Sequence, residues 1–299
     1  MNFTKPPLTI QQQINKLKNR GLSFGNEPKA AHYLSNISYY RLRAYTYPFQ
    51  DNTSPEHPFN REVSFEEIIN LYVFDRRLRI LIFNALEKIE IALRTKIIYE
   101  YSNAFGSHWF EDENMYWNLA QFDTDMETLD IEIDRSKETF IEHYKNNYSN
   151  PPSPPAWMSL EVASFGLLSK LFRNLKNGPM KTKVAREFGL PTSEILSSWM
   201  YAITGIRNIV AHHGRLWNRR FIIKPTIPSR TINPFLNNTR IFRNKIYAIF
   251  CCMNYILKII SPGNSFVTDL KELLTSSHLI DLHEMGFPDD WEEEEIWKE

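Results

Sequence analysis

Arg207, Asn208 and His212 are the residues of this 299-residue chain whose types and spacing best suit chemistry on a phosphate. They stand in the run Arg207-Asn208-Ile209-Val210-Ala211-His212-His213-Gly214-Arg215-Leu216-Trp217-Asn218-Arg219-Arg220. A guanidinium neutralises the charge that grows on phosphate oxygens in a transition state. An imidazole takes up and returns a proton near neutral pH. Asn208 can orient His212 or hold a phosphate oxygen, and His213 is a further candidate for the proton transfer. RNA fits such a set because its 2′-hydroxyl is its own nucleophile. The reaction would leave a 2′,3′-cyclic phosphate and a 5′-hydroxyl, and it calls for no metal or cofactor. The same residues also fit a plain helix end, where cations are favourable against the helix dipole.

The charge around the motif favours the chemical reading. The chain carries 35 basic and 35 acidic residues, but they are unevenly spread. From Ile195 to Thr268 there is no Asp or Glu, against ten Lys and Arg, a net of +10. From Asp269 to the end, eleven carboxylates against two lysines give −9. Solvated surfaces normally mix signs. Exclusion of every carboxylate over such a length suits a polyanion, and RNA is the natural one. Arg215, Arg219, Arg220 and Lys224 are the expected contacts. Arg41 and Arg43 join them as candidates, because they alternate with tyrosines in Ser38-Tyr39-Tyr40-Arg41-Leu42-Arg43-Ala44-Tyr45, a pattern that can clamp single strands. Tyr39 and Tyr45 themselves read better as rings packed on a core.

The element that must carry the motif is a helix capped by Thr192 or Ser193, with Ile195, Leu196, Trp199, Ile203, Ile206 and Val210 as its buried stripe. On a straight helix Arg207 falls on the shoulder of that stripe, and His212 lies about 140° round from it. Asn208, His212 and Arg215 share a face instead. Either the helix turns near Gly214, or Arg207 bends across, or two copies of the motif meet at a two-fold axis. The last option predicts a homodimer.

Scarce glycine, ten residues in all, and the lack of alternating apolar runs predict an all-α fold. With 42% hydrophobic residues there is ample material for a core. The spacing predicts a basic helix from Thr9 to Gly21, with Lys5 just before it, and a short helix over about 28–37. A long helix follows from Ser64 to about Tyr101. On it Glu87, Glu90 and Arg94 lie one turn apart, either as a buried structural group or as a support behind the site. Further helices are expected near 125–147, from Ser159 to about Leu175, from Met180 to Phe188, and from about Thr239 to Ile260. This implies an N-terminal helical extension over 1–62, a helical domain over 63–262 and an acidic segment over 263–299. Glu292 to Glu295 are candidates to lie over the basic surface and compete with RNA, although Trp291, Ile296 and Trp297 argue against a purely solvated end. Cys251 and Cys252 read as core thiols of a reducing cytoplasm. No apolar run approaches a membrane span and no signal peptide opens the chain, so no membrane partner is expected.

Several separate blocks together resemble the Abi-like abortive-infection family, of the AbiD/AbiF type, found in bacterial phage defence. They run in order from Lys5-Pro6-Pro7-Leu8-Thr9 and Ser38-Tyr39-Tyr40-Arg41-Leu42 to Phe74-Asp75-Arg76-Arg77-Leu78-Arg79 and Glu87-Lys88-Ile89-Glu90. Pro154-Pro155-Ala156-Trp157-Met158, Ser164-Phe165-Gly166, the Arg207 to Arg219 motif and Met285-Gly286-Phe287-Pro288 complete them. Arg207, Asn208 and His212 match the R-N-x-x-x-H signature of the HEPN superfamily, in which that family is placed. The resemblance implies a HEPN-like helical bundle, dimerisation and metal-free endoribonuclease activity. It also implies a toxin or defence effector working beside an inhibitor, for some members a small structured RNA. A non-catalytic RNA-binding module of a toxin–antitoxin or defence system is the alternative.

Overall fold

The computed structural model describes residues 2 and 6–298, so Lys5 lies outside the described residues. The fold is all-α, with thirteen α-helices among the described residues. The chain divides into two compact units. One comprises residues 1–79 and 271–281, the other residues 80–270 and 282–299.

The first unit holds α1 (Ile10–Asn19), α2 (Glu27–Ile37), α3 (Tyr39–Thr46) and the start of α4 (Phe65–Phe105). Thr9 and Gln12 form a reciprocal capping box on α1. Asn26 caps α2, with Pro28 in its first turn, where a missing N–H costs nothing. Ser64 and Glu67 cap α4 in the same reciprocal way, the Glu67 carboxylate accepting from Ser64 N–H at 2.7 Å. Tyr45 is buried, and its hydroxyl donates to Asp75 at 2.6 Å. Arg79 pairs with the same carboxylate from one turn further along. A buried charge pair needs this kind of additional hydrogen bond to offset its desolvation. Asp75 and Arg79 of the block Phe74-Asp75-Arg76-Arg77-Leu78-Arg79 thus form a buried polar pair, while Arg76 and Arg77 are exposed.

The second unit holds the remainder of α4, then α5 (Leu119–Arg135), α6 (Thr139–Asn147), α7 (Ala156–Val162), α8 (Phe165–Asn174), α9 (Pro179–Glu187), α10 (Ser193–Ala211) and α11 (Ile246–Ile260). Of the last two helices, α12 (Phe266–Leu274) crosses the boundary between the units, and α13 (Leu282–Met285) belongs to the second. Two of the expected helices are each broken in two. The helix expected over 125–147 stops at Arg135, because the Ser136 hydroxyl accepts from Glu138 N–H and offers the backbone a local alternative to the helix. The one expected from Ser159 is split because Ser164 starts a new helix, its hydroxyl accepting from Leu167 N–H. The last long helix begins at Ile246 rather than near Thr239. Residues just before it pair with a distant loop, Asn244 C=O accepting from Phe221 N–H at 2.8 Å.

Every residue of α11 from Ile246 to Leu257 is buried, which leaves Cys251 and Cys252 as free thiols in the core. Burial pushes both thiols well above their ordinary range, so neither is a nucleophile. Lys181 is also buried, and desolvation lowers its pKa to about 8. Its ammonium donates to the carbonyls of Arg173 and Leu175 and so closes the C-terminus of α8. Among the described residues no helix is long and apolar enough to cross a membrane.

The acidic end is packed, not solvated. Trp291, Ile296 and Trp297 are buried, and Trp297 donates to the Tyr247 hydroxyl of α11 at 3.1 Å. Asn254 of α11 donates to Ile296 C=O at 2.6 Å. Glu294 is buried too, and its carboxylate accepts from the backbone of Asn237 and Asn238. Gly286, at φ +91°, lies so close to Lys245 that a Cβ there would collide with it.

Candidate nucleic-acid interface

Helix α10 is placed by its neighbours α8, α9 and α11. Thr192 caps it, its hydroxyl accepting from Ile195 N–H. Leu196, Trp199, Ile203, Ile206 and Val210 are buried, as the spacing predicts. Ile195 is not among the buried residues of the helix. Trp199 also reaches outward, its indole N–H donating to Thr226 C=O at 2.7 Å. Ser198 accepts from Thr226 N–H at 2.8 Å. These two bonds pin the long loop that follows α10 against the helix carrying the motif.

The C-terminus of α10 is a Schellman turn. His213 N–H donates to Val210 C=O at 3.0 Å, and Gly214 N–H donates to Ile209 C=O at 2.8 Å. The position that glycine usually fills in this turn is held by His213, at φ +55°. Gly214 sits one place later for a different reason: a Cβ there would lie 2.9 Å from the Ile209 side chain. His212 still belongs to the helical path, since its N–H closes onto Asn208 C=O at 3.1 Å. The turn therefore redirects His213 and the residues after it, while Arg207 and His212 keep their helical separation of about 140°. Arg207 is half-buried, whereas Asn208, His212 and His213 are exposed.

Beyond the turn, residues 212–245 contain no helix. Arg220, Lys224, Arg230, Arg240 and Arg243 are exposed there, and Arg215 and Arg219 are half-buried. Arg219 donates to Arg215 C=O at 3.3 Å, and Arg215 donates to Asn218 C=O at 3.3 Å. The Arg215 guanidinium also lies 5.7 Å from the centre of the buried Trp217 ring. These contacts hold the first arginines in place. Lys245 is matched to Glu284 at 3.1 Å. None of Arg207, Arg219, Arg220, Lys224, Arg230, Arg240 and Arg243 is paired with a carboxylate among the described residues. A carboxylate-free sequence thus becomes a loop whose exposed cations have no ion partner among the described residues.

Other candidate residues have other surroundings. Glu90 and Arg94 do pair, at 3.0 Å. Arg94 is buried, and it also donates to the carbonyls of Leu160 and Ala163 at the end of α7. It therefore serves to hold the joint between α7 and α8. Glu87 is exposed on α4. Arg41 is exposed and Arg43 half-buried, both on α3 of the first unit. Residues that the sequence did not single out are the exposed Ile222 and Phe242 of the basic loop, 96% and 71% accessible. Their apolar type in a polar loop was the available signal.

A family model described as Abi-like protein matches residues 32–218. The chain belongs to the Abi-like protein family. The matched stretch includes the whole of α10 and its turn and ends at Asn218, while the blocks at Pro6 and Met285 fall outside it. No curated protein and no solved structure matches the chain. Family membership points to abortive infection, the response by which an infected bacterial cell blocks its phage.

Proposed function

We propose that this protein is a metal-independent endoribonuclease of the HEPN type, acting as a cytoplasmic phage-defence effector or toxin. The observation that carries the reading is the position of the motif. Arg207, Asn208 and His212 lie at the open end of α10, directly before a loop whose exposed cations meet no carboxylate. In the reaction, His212 removes the 2′-hydroxyl proton, the 2′-oxygen bonds to phosphorus, and the bond to the 5′-oxygen breaks. The 5′-oxygen leaves as a hydroxyl, taking its proton from solvent water or from a protonated His213. Arg207 neutralises the charge on the non-bridging oxygens, and Asn208 orients the imidazole or a phosphate oxygen. His213 stands next in line for either proton transfer.

The separation of Arg207 from His212 around α10 supports a homodimer in which each motif completes the other. An AbiD/AbiF-type effector would also be held inactive by an inhibitor, for which a small structured RNA has the right charge. If Arg207 and His212 never meet on one phosphate, the basic loop alone makes a non-catalytic RNA-binding module.

Purified protein incubated with total bacterial RNA in EDTA, with mapping of new ends, separates the two. Cleavage leaving 2′,3′-cyclic phosphates is expected. His212→Ala should abolish it and leave RNA affinity within a few-fold, whereas Arg207→Ala should weaken both. A His212→Ala protein that cuts at the parent rate would overturn the assignment. Light scattering that reports a fully active monomer would remove the shared site.

A further inference from the structure

Beside the motif, α10 and the basic loop enclose an apolar slot of about 220 Å³. Gly205, Ile206 and Ile209 of α10 form one wall, and Ile223 and Ile249 face them. Phe221, Ile222, Arg219 and Arg220 also line it, so apolar side chains and two arginine residues border the same slot. Two features tie it to the motif. Ile209 is both a wall of the slot and the residue over which the turn carrying His212 and His213 closes. Arg219 lines the slot and is anchored to that turn through Arg215 C=O.

Gly205, which lines the slot, lets Ile223 pack close against α10. A Cβ there would lie 3.1 Å from the Ile223 side chain, tighter than an ordinary contact. Gly205 costs helix stability in the middle of α10, which a packing reason must offset. No carboxylate lines the slot, and none occurs in the sequence from Ile195 to Thr268.

We infer that this slot receives one unstacked base of a single-stranded RNA and sets which nucleotide is presented to the motif. The inference rests on the RNA reading above and adds a base-reading subsite to it. A flat, largely apolar ring attached to a phosphate matches aliphatic walls and arginines together. Bases splayed out of single strands are characteristically held between apolar side chains and guanidinium planes. An acyl chain would want walls without cations, and a folded duplex could not enter a slot of this size.

The test uses full-length protein carrying His212→Ala, so that binding is read without cutting. Short single-stranded RNAs, each with one base removed at a different position, are titrated by fluorescence anisotropy. Loss of one base should weaken binding by about ten-fold. Adding Gly205→Leu fills the slot and should erase that dependence, with intact and abasic RNAs then binding alike. Gly205→Ala should do so in part, and it stands in if the leucine variant does not fold. Cleavage by proteins with native His212 should show the matching pattern, a base preference beside the cut that Gly205→Leu removes.

Binding that is insensitive to every abasic position overturns the subsite and leaves the nuclease reading intact. Base-dependent binding that survives both Gly205 variants overturns it as well. Base-dependent binding erased by Gly205→Leu, with no cleavage by the parent, upholds the subsite and removes the nuclease. If Gly205→Leu alters only the dimer mass in solution, the slot is an interface between copies and the inference fails. No RNA binding at all sinks both.

Discussion

His213 occupies a backbone conformation that costs an L-residue roughly 1–2 kcal/mol, in a turn where glycine is the usual occupant. A strained residue beside a candidate site is a reason to test it for a role. Comparing His213→Gly with His213→Ala separates backbone from side chain, because both variants lose the imidazole. The glycine variant should be more stable than the alanine variant by about 1 kcal/mol, read as a difference in urea midpoint. Equal stabilities would show that the turn relaxes when the ring is removed. If both variants still cleave RNA while His212→Ala does not, the proton transfer belongs to His212. Arg207 and Asn208 lie on α10 as the spacing predicts, and His212 is its C-cap. The sequence could not show that the turn redirects the chain from His213 onward, because that depends on which N–H groups close onto Ile209 and Val210.

At the level of elements, Arg94 is the clearest case of a residue whose pattern had two readings. Its spacing from Glu90 predicted the ion pair, and the pair forms. The carbonyls of Leu160 and Ala163 lie more than sixty residues away, and no local spacing announces them. Arg94→Met would leave those two carbonyls and the Glu90 carboxylate without their donor. The expected cost is about 3 kcal/mol, seen as a lower unfolding midpoint. Cleavage per folded molecule should stay near the parent value. Full stability with lost cleavage would instead place Arg94 behind the active site. The breaks at Ser136 and Ser164 escaped the periodicity for a related reason. The apolar spacing runs on across each break, and a single serine hydroxyl redirects the backbone.

On the scale of the molecule, the C-terminal segment changes what a truncation would report. Removing residues after Pro288 exposes the pocket left by Trp291, Ile296 and Trp297, and it strips Asn237 and Asn238 of their acceptor. Such a truncation should lower the melting temperature by ten degrees or more, on the order of several kcal/mol for three large buried side chains. It therefore cannot test whether the acidic end restrains RNA binding. The substitutions that can are Glu292→Gln, Glu293→Gln and Glu295→Gln made together, since all three side chains are exposed. If these carboxylates compete with RNA, the triple variant should bind more tightly at low salt, with the gain fading as salt rises. Equal affinities across the salt series would leave the segment with a packing role only.

The sequence alone determined the helical class, the stripe of α10, the cationic loop and the family, because each is written in residue type and short-range spacing. Periodicity reports which face of a helix avoids water, and a run without carboxylates reports charge whatever the fold. Tertiary structure alone decided the rest. It decided where Glu294 and Trp297 are buried within an acidic segment whose apolar residues showed only that it docks somewhere, because the burial depends on Tyr247, Asn254 and the 237–238 backbone arriving from elsewhere in the chain. It formed the slot beside Gly205, because a cavity is a property of facing walls, and Ile223 and Ile249 come to line it with α10 only once the chain has folded.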